Sequence, residues 1–120
     1  MKKIALLIAV VGLFATVTAE TSGLIKTRLT VIVLNKLGNP VKDAIVKIYL
    51  TKEDYQKKEN EAATSQFTNA SGKATFKGLE PTVYYIYAVK GDEDNKGSGF
   101  MTDTLEEFRI NQVRTIIADL

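Results

Sequence analysis

The stretch Thr68–Gly91, TNASGKATFKGLEPTVYYIYAVKG, decides the fold. It packs two turn signals and two β-prone runs into one short span. Asn69 to Gly72 (NASG) favours a turn, and Lys73 to Leu79 follows as a strand with Ala74 and Phe76 on one face. The tetrapeptide GLEP at 78–81 breaks the chain again. Thr82 to Lys90 is then rich in tyrosine, valine and isoleucine, residues that suit a pleated, half-buried surface.

The same grammar runs outward in both directions. Upstream, LTVIVL from Leu29 is a strand with Leu29, Val31 and Val33 on one face, closed by the turn formers Gly38, Asn39 and Pro40. Val41 to Leu50 alternates, with Ala44, Val46, Ile48 and Leu50 predicted to face the core and Ile45, Lys47, Tyr49 and Thr51 the other side. Thr51 to Ser65 is charged and lacks alternation, so it reads as a long loop with room for one helical turn. Gln66 to Thr68 is a short strand. Downstream, Gly91 to Gly99 (GDEDNKGSG) reads as a flexible acidic loop, Thr104 to Ile110 as a helical turn or a strand, and Val113 to Leu120 as a closing strand. Short strands between turn signals predict an all-β fold. The pattern fits an antiparallel Greek-key sandwich of about seven strands, prealbumin-like or Ig-like.

The first 19 residues read as a signal peptide. Lys2 and Lys3 supply a positive start, Ile4 to Val17 an apolar run, and Val17, Thr18 and Ala19 a small-residue cleavage site. The run falls short of the ~20 residues of a membrane span. Cleavage after Ala19 leaves a single domain, Glu20 to Leu120, expected in the periplasm or outside the cell. Lys2 and Lys3 account for the whole excess of 16 Lys+Arg over 14 Asp+Glu, so the remaining chain is neutral. A neutral domain lacks the basic footprint of a nucleic-acid binder. With no cysteine, it has neither a disulfide nor the thiol that lipid attachment requires, and its core must hold it together.

Two segments together resemble the carboxypeptidase regulatory-like family, which has a prealbumin-like (transthyretin-like) sandwich. They are LTVIVLNKLGNPVKDAIVKIYLT from Leu29 and FTNASGKATFKGLEPTVYYIYAVKG from Phe67. The matching positions are Gly38, Pro40, Val41, Ala44 and Val46, then Thr68, Gly72, Phe76, Leu79, Pro81 and Tyr84; Asn69 and Thr82 replace a usual Asp and Gly. The resemblance implies fold and is nearly silent on function. If Tyr84 takes the family's tyrosine position, Tyr84, Ile86 and Ala88 point inward, and Tyr85, Tyr87 and Val89 outward.

Catalytic chemistry finds little footing. Without His or Cys, acyl-transfer triads in their usual form and the commonest zinc ligand are excluded. Transthyretin-like hydrolases share the implied fold but rely on histidines. Glu106 with Glu107, and Asp92 to Asp94, are neighbours in sequence; nothing places two carboxylates across a cleft. Asp92, Asp94 and Asp103 approximate a calcium-loop spacing, with Gly97 at the sixth position. Lys96 at the fifth, and Asp103 in place of a bidentate Glu, favour a solvated loop. The kindred collagen-adhesin B-type sandwich forms an internal Lys–Asn or Lys–Asp amide. Lys26 or Lys36 with Asn111 are nominal partners, but Tyr85 to Ala88 lack the acid that promotes it.

The sequence therefore predicts no enzyme, no cofactor and no metal. It predicts an exported module that binds or supports another component of the cell envelope, with Tyr85, Tyr87, Tyr49 and Tyr55 as its contacts. A carbohydrate-binding module using the same tyrosines is the alternative, weakened by the absence of Trp. Either partner would be a protein or glycan, and the sequence leaves the oligomeric state open. The competing structural reading has the Thr51–Ser65 loop fold over Tyr85 and Tyr87, or makes them cross-strand packing partners of Tyr49 and Ile45.

Overall fold

A computed structural model describes residues 26–120, so the signal-peptide segment lies outside the described residues. The chain forms β1 (Arg28–Asn35), β2 (Ile45–Tyr49), α1 (Lys52–Lys57), β3 (Gln66–Phe67), β4 (Lys73–Phe76), β5 (Tyr85–Lys90), β6 (Glu93–Asp94) and β7 (Ile110–Ile117). One sheet has the order β4-β1-β7, and the other β3-β2-β5-β6. The molecule is an all-β sandwich. The predicted strand number is reached only by counting β3 and β6, each two residues long.

Alternation accounts for most inward residues of the first two strands, and the family resemblance, through Tyr84, for those of β5. Leu29, Val31 and Val33 from β1, Val46 and Ile48 from β2, and Ile86 and Ala88 from β5 are fully buried, with Ala44, Phe76 and Tyr84 packed beside them. Each large aliphatic buried in this way contributes about 1.5–3 kcal/mol. Leu50 departs from the expectation. It is 53% exposed, because β2 ends at Tyr49 and the backbone turns there into α1. Thr51 caps that helix, its Oγ1 accepting the Asp54 N–H at 3.0 Å.

The contacts of four residues explain the motif. Thr68 Oγ1 donates to the Val41 carbonyl at 2.6 Å and accepts the Ala44 N–H at 2.9 Å, which ties the two recognisable segments together. Asn69 Oδ1 accepts the N–H groups of Ser71 at 2.9 Å and Lys73 at 3.1 Å. An Asp would accept the same pair, so this departure from the family pattern is conservative. Gly72 lies at φ +75°, and a Cβ there would come within 2.6 Å of the Val33 carbonyl oxygen. The turn docks on β1 at that point, with the Val33 N–H donating to the Gly72 carbonyl at 2.7 Å. Tyr84 forms a tyrosine corner, its hydroxyl donating to the Glu80 carbonyl at 3.0 Å and accepting the Glu80 N–H at 3.1 Å.

Four expectations are corrected in the second half of the chain. β7 runs parallel to β1, from Arg28↔Ile110 to Asn35↔Ile117, so the sandwich is not wholly antiparallel. It begins three residues before the predicted closing strand. The acidic loop is not a free flexible tip: Asn95 within it is 2% exposed and bonded on several sides. The Thr104–Ile110 question resolves as neither regular helix nor strand up to Arg109. Phe100 to Thr102 instead runs along β5, with the Ile86 N–H donating to the Phe100 carbonyl at 2.6 Å and the Thr102 N–H to that of Tyr84 at 2.9 Å. Leu105, anchored by its N–H to the Thr82 carbonyl at 3.1 Å, then plugs the core.

Candidate functional site

The outer face of the β3-β2-β5-β6 sheet carries the tyrosines. The register sets Tyr49 opposite Tyr85 and Lys47 opposite Tyr87. Tyr84, Ile86 and Ala88 point into the core, while Tyr85, Tyr87 and Val89 face outward and are half-buried. Helix α1 lies across one end of this face and lowers Tyr55 onto it. The Tyr55, Tyr85 and Phe100 rings form a triangle with centroids 6.1, 5.7 and 6.2 Å apart and mutual tilts of 33°, 34° and 38°. Tyr49 meets Tyr55 edge-on from below, at 6.1 Å and 71°.

The αL conformation of Lys58, at φ 56°, ends the helix and turns its side chain back. Its ammonium sits 4.5 Å from the centroids of both Tyr55 and Tyr87. A cation over two ring faces pins the helix to the sheet. Lys47 and Glu61, paired at 3.4 Å, flank the same patch.

The four nominated tyrosines are thus brought together, but not as equals. Tyr49 is fully buried and cannot touch a partner; it supports the others. Its burial comes from α1, which the sequence suggested only as one helical turn. Tyr55, Tyr85 and Tyr87 keep part of their rings in solvent. Phe100 was missed, because its place depends on the return of 100–102 along β5. Its only sequence signal is an aromatic after a glycine-rich loop.

Burial, followed by the charge of Glu61, pushes the Tyr49 hydroxyl up to about 12 from its ordinary value of 10. Tyr55 is raised by burial and then by Asp94. The Tyr49 hydroxyl has no hydrogen-bond partner among the described residues. Tyr49→Phe is therefore expected to be at least as stable as the parent at neutral pH, since it removes an unpaired buried hydroxyl. Above pH 10 the unfolded tyrosine ionises while the folded one keeps its proton to about 12. Tyr49 stabilisation is thus present below pH 10 and lost between 10 and about 12. Urea denaturation across that window should show the parent losing more stability than the Phe variant; parallel losses would refute the assignment.

The other candidate chemistry is not assembled. Asp94 Oδ1 accepts the Lys96 N–H at 2.7 Å, and Lys96 Nζ pairs with Asp119 at 2.6 Å. That ion pair raises the Lys96 pKa and lowers that of Asp119. Among the described residues no three His, Cys, Asp or Glu side chains are grouped to hold a metal. Lys26 and Lys36 are exposed, and the inward positions of β1 are Leu29, Val31 and Val33. Asn111 Nδ2 donates to the carbonyls of Arg28 and Glu106, both at 3.1 Å, so neither nominated lysine has the buried geometry for an amide with it. A cleft of about 530 Å³ lies between 101–106 and 109–113; its Glu106 is paired with Arg109 at 3.4 Å. Among the described residues no helix is long and apolar enough to cross a membrane.

The fold resembles that of a bacterial pilin domain. The chain is similar to the minor pilin GBS52 of the Gram-positive pathogen Streptococcus agalactiae, at 24% identity and a TM-score of 0.56, over 76% of this chain and 50% of that one. It is also similar to the full-length major pilin SpaD of Corynebacterium diphtheriae, at 19% identity and a TM-score of 0.44, over 77% of this chain and 30% of that one. For the shaft pilin SpaA of Lactobacillus rhamnosus GG the identity is 12% and the TM-score 0.48, over 78% of this chain and 48% of that one. The chain therefore spans half or less of each of these proteins, and the likeness to GBS52 is one of fold. No family profile and no curated protein matches the sequence.

Proposed function

We propose that this protein is a non-enzymatic, exported β-sandwich module of the bacterial cell surface, of the pilin-domain kind, that contacts another envelope component through its aromatic face. The observation that carries the proposal is the half-exposed triangle of Tyr55, Tyr85 and Phe100, with Tyr87 beside it under Lys58. Rings held by a capped helix, by β5 and by the 100–102 segment bonded beside it offer apolar area at low entropic cost, as interface aromatics do. The likeness to a minor pilin supports a structural role at the surface. The carboxypeptidase regulatory-like resemblance agrees with the sandwich and adds no activity. Export belongs to the proposal through residues 1–19, with the processed chain beginning at Glu20.

The test is affinity capture by the full chain from envelope and secreted fractions of a bacterial source. A Tyr85→Ser, Tyr87→Ser variant and a remote Leu37→Ser variant serve as controls, all checked for cooperative melting. A protein retained by the parent and Leu37→Ser, and lost with the double variant, would support the aromatic face. Equal retention by all three would refute it. Retardation in polysaccharide gels that depends on the two tyrosines would transfer the face to a glycan.

A further inference from the structure

The parallel pairing of β1 and β7 has a mechanical meaning. These strands align residue for residue over their full length, from Arg28↔Ile110 to Asn35↔Ile117. At ~3.3 Å per residue the eight paired residues span roughly 26 Å. The chain comes into β1 at the Arg28 end and leaves β7 at the Ile117 end, so the two connections lie at opposite poles. Opposed forces applied there run along the strands and across their hydrogen bonds. The evenly spaced bonds of a parallel ladder then share the load and must fail together.

The surroundings reinforce this geometry at both poles. At the first, the Arg28 N–H donates to the Arg109 carbonyl at 2.9 Å, Asn111 Nδ2 reaches the Arg28 carbonyl at 3.1 Å, and the Phe108 N–H reaches Thr27 Oγ1 at 2.9 Å. At the second, Thr115 is bonded to Asn95 at 2.9 Å and to the Ser98 carbonyl, and Ile117 is buried. β1 is also paired on its other edge with β4, from Leu29↔Phe76 to Ile32↔Lys73, so it cannot slide without disrupting a second ladder. The chain has no cysteine, so no disulfide shares the load.

We infer that the sandwich is a force-bearing link, in which tension between Lys26 and Leu120 is resisted by shear of the β1–β7 ladder. This reading goes beyond the aromatic face and holds whichever component that face contacts.

The absence of native cysteine makes the test direct. In the full chain, Lys26→Cys with Leu120→Cys places handles at opposite poles, whereas Lys36→Cys with Leu120→Cys places both at the Asn35↔Ile117 end. All three positions are exposed. In single-molecule pulling at one loading rate, the first pair is expected to rupture at several-fold higher force, because the second peels the ladder one bond at a time. Equal forces, or a stronger second pair, would overturn the inference. Because the two variants share one attachment site and both carry substitutions only at exposed positions, their comparison separates pulling direction from overall stability.

Discussion

Gly99→Ala is expected to destabilise the sandwich by about 4 kcal/mol, read as a lower denaturation midpoint at unchanged slope. A Cβ at Gly99 would stand 2.0 Å from the Arg114 carbonyl oxygen and 3.0 Å from the Thr115 Cα. Both are backbone atoms of β7, held in the ladder with β1, so neither can swing aside as a side chain would. The positive φ of +58° adds a further ~1–2 kcal/mol for any residue with a Cβ. Gly97, two residues earlier, separates the two contributions. Its φ is +83°, but nothing lies within 4 Å of its hypothetical Cβ, so Gly97→Ala should cost only the conformational ~1–2 kcal/mol. If the two substitutions cost the same, the close approach of the 95–99 loop to β7 is soft, and its role in holding that strand is wrong.

Asn95→Ala is expected to cost about 3 kcal/mol through unpaired buried backbone. The Asn95 amide accepts the Ala88 N–H at 3.3 Å, and it donates to the Ile86 carbonyl at 3.1 Å and to Thr115 Oγ1 at 2.9 Å. One side chain thus joins β5 in one sheet to β7 in the other. Truncation strands the Ala88 N–H and the Ile86 carbonyl of β5, at ~1–3 kcal/mol for each that water cannot reach, and breaks the link to Thr115, which keeps its bond to the Ser98 carbonyl. Asn95→Asp is the sharper variant, because it keeps the acceptor and replaces the donor by a charged oxygen facing the Ile86 carbonyl. Burial would raise that carboxyl's pKa, so its penalty should grow as pH rises through that value and ease in acid. A pH-independent loss in Asn95→Asp, equal to that of Asn95→Ala, would show that the amide's donor does not matter.

These two positions mark where a sequence reading stops. GDEDNKGSG carries the composition of a solvated loop, and hydropathy assigns its Asn and Gly residues no burial. Their importance comes from a contact across 15 residues, between Gly99 and Arg114, which no local pattern encodes. The candidate site divides in the same way. The family resemblance sets the phase at Tyr84 and period-2 alternation from there places Tyr85 and Tyr87 outward, and the register pairs Tyr85 with Tyr49 as cross-strand packing requires. Tyr49 was offered as a contact because alternation alone sets it on the outer face. Helix α1, only six residues long, covers it there.

What the sequence determined by itself was the two-layer architecture and its inward residues. Alternation and turn chemistry are local, and burying one face of each strand leaves few other solutions; hence Leu29, Val31, Val46, Ile48 and Phe76 form the core, joined by Tyr84 and Ile86, whose inward phase the family resemblance implied. The motif residues Thr68, Gly72 and Tyr84 were legible as a pattern, although their bonds were not. The tertiary structure alone decided the parallel partnership of β1 with β7, the bolt formed by Asn95 and Gly99, and the aromatic triangle completed by Phe100. Each joins segments distant in sequence through backbone groups, whose pairing is set by the path of the whole chain. A hydrophobic period states which way a side chain faces; it carries no information about which strand lies next to it.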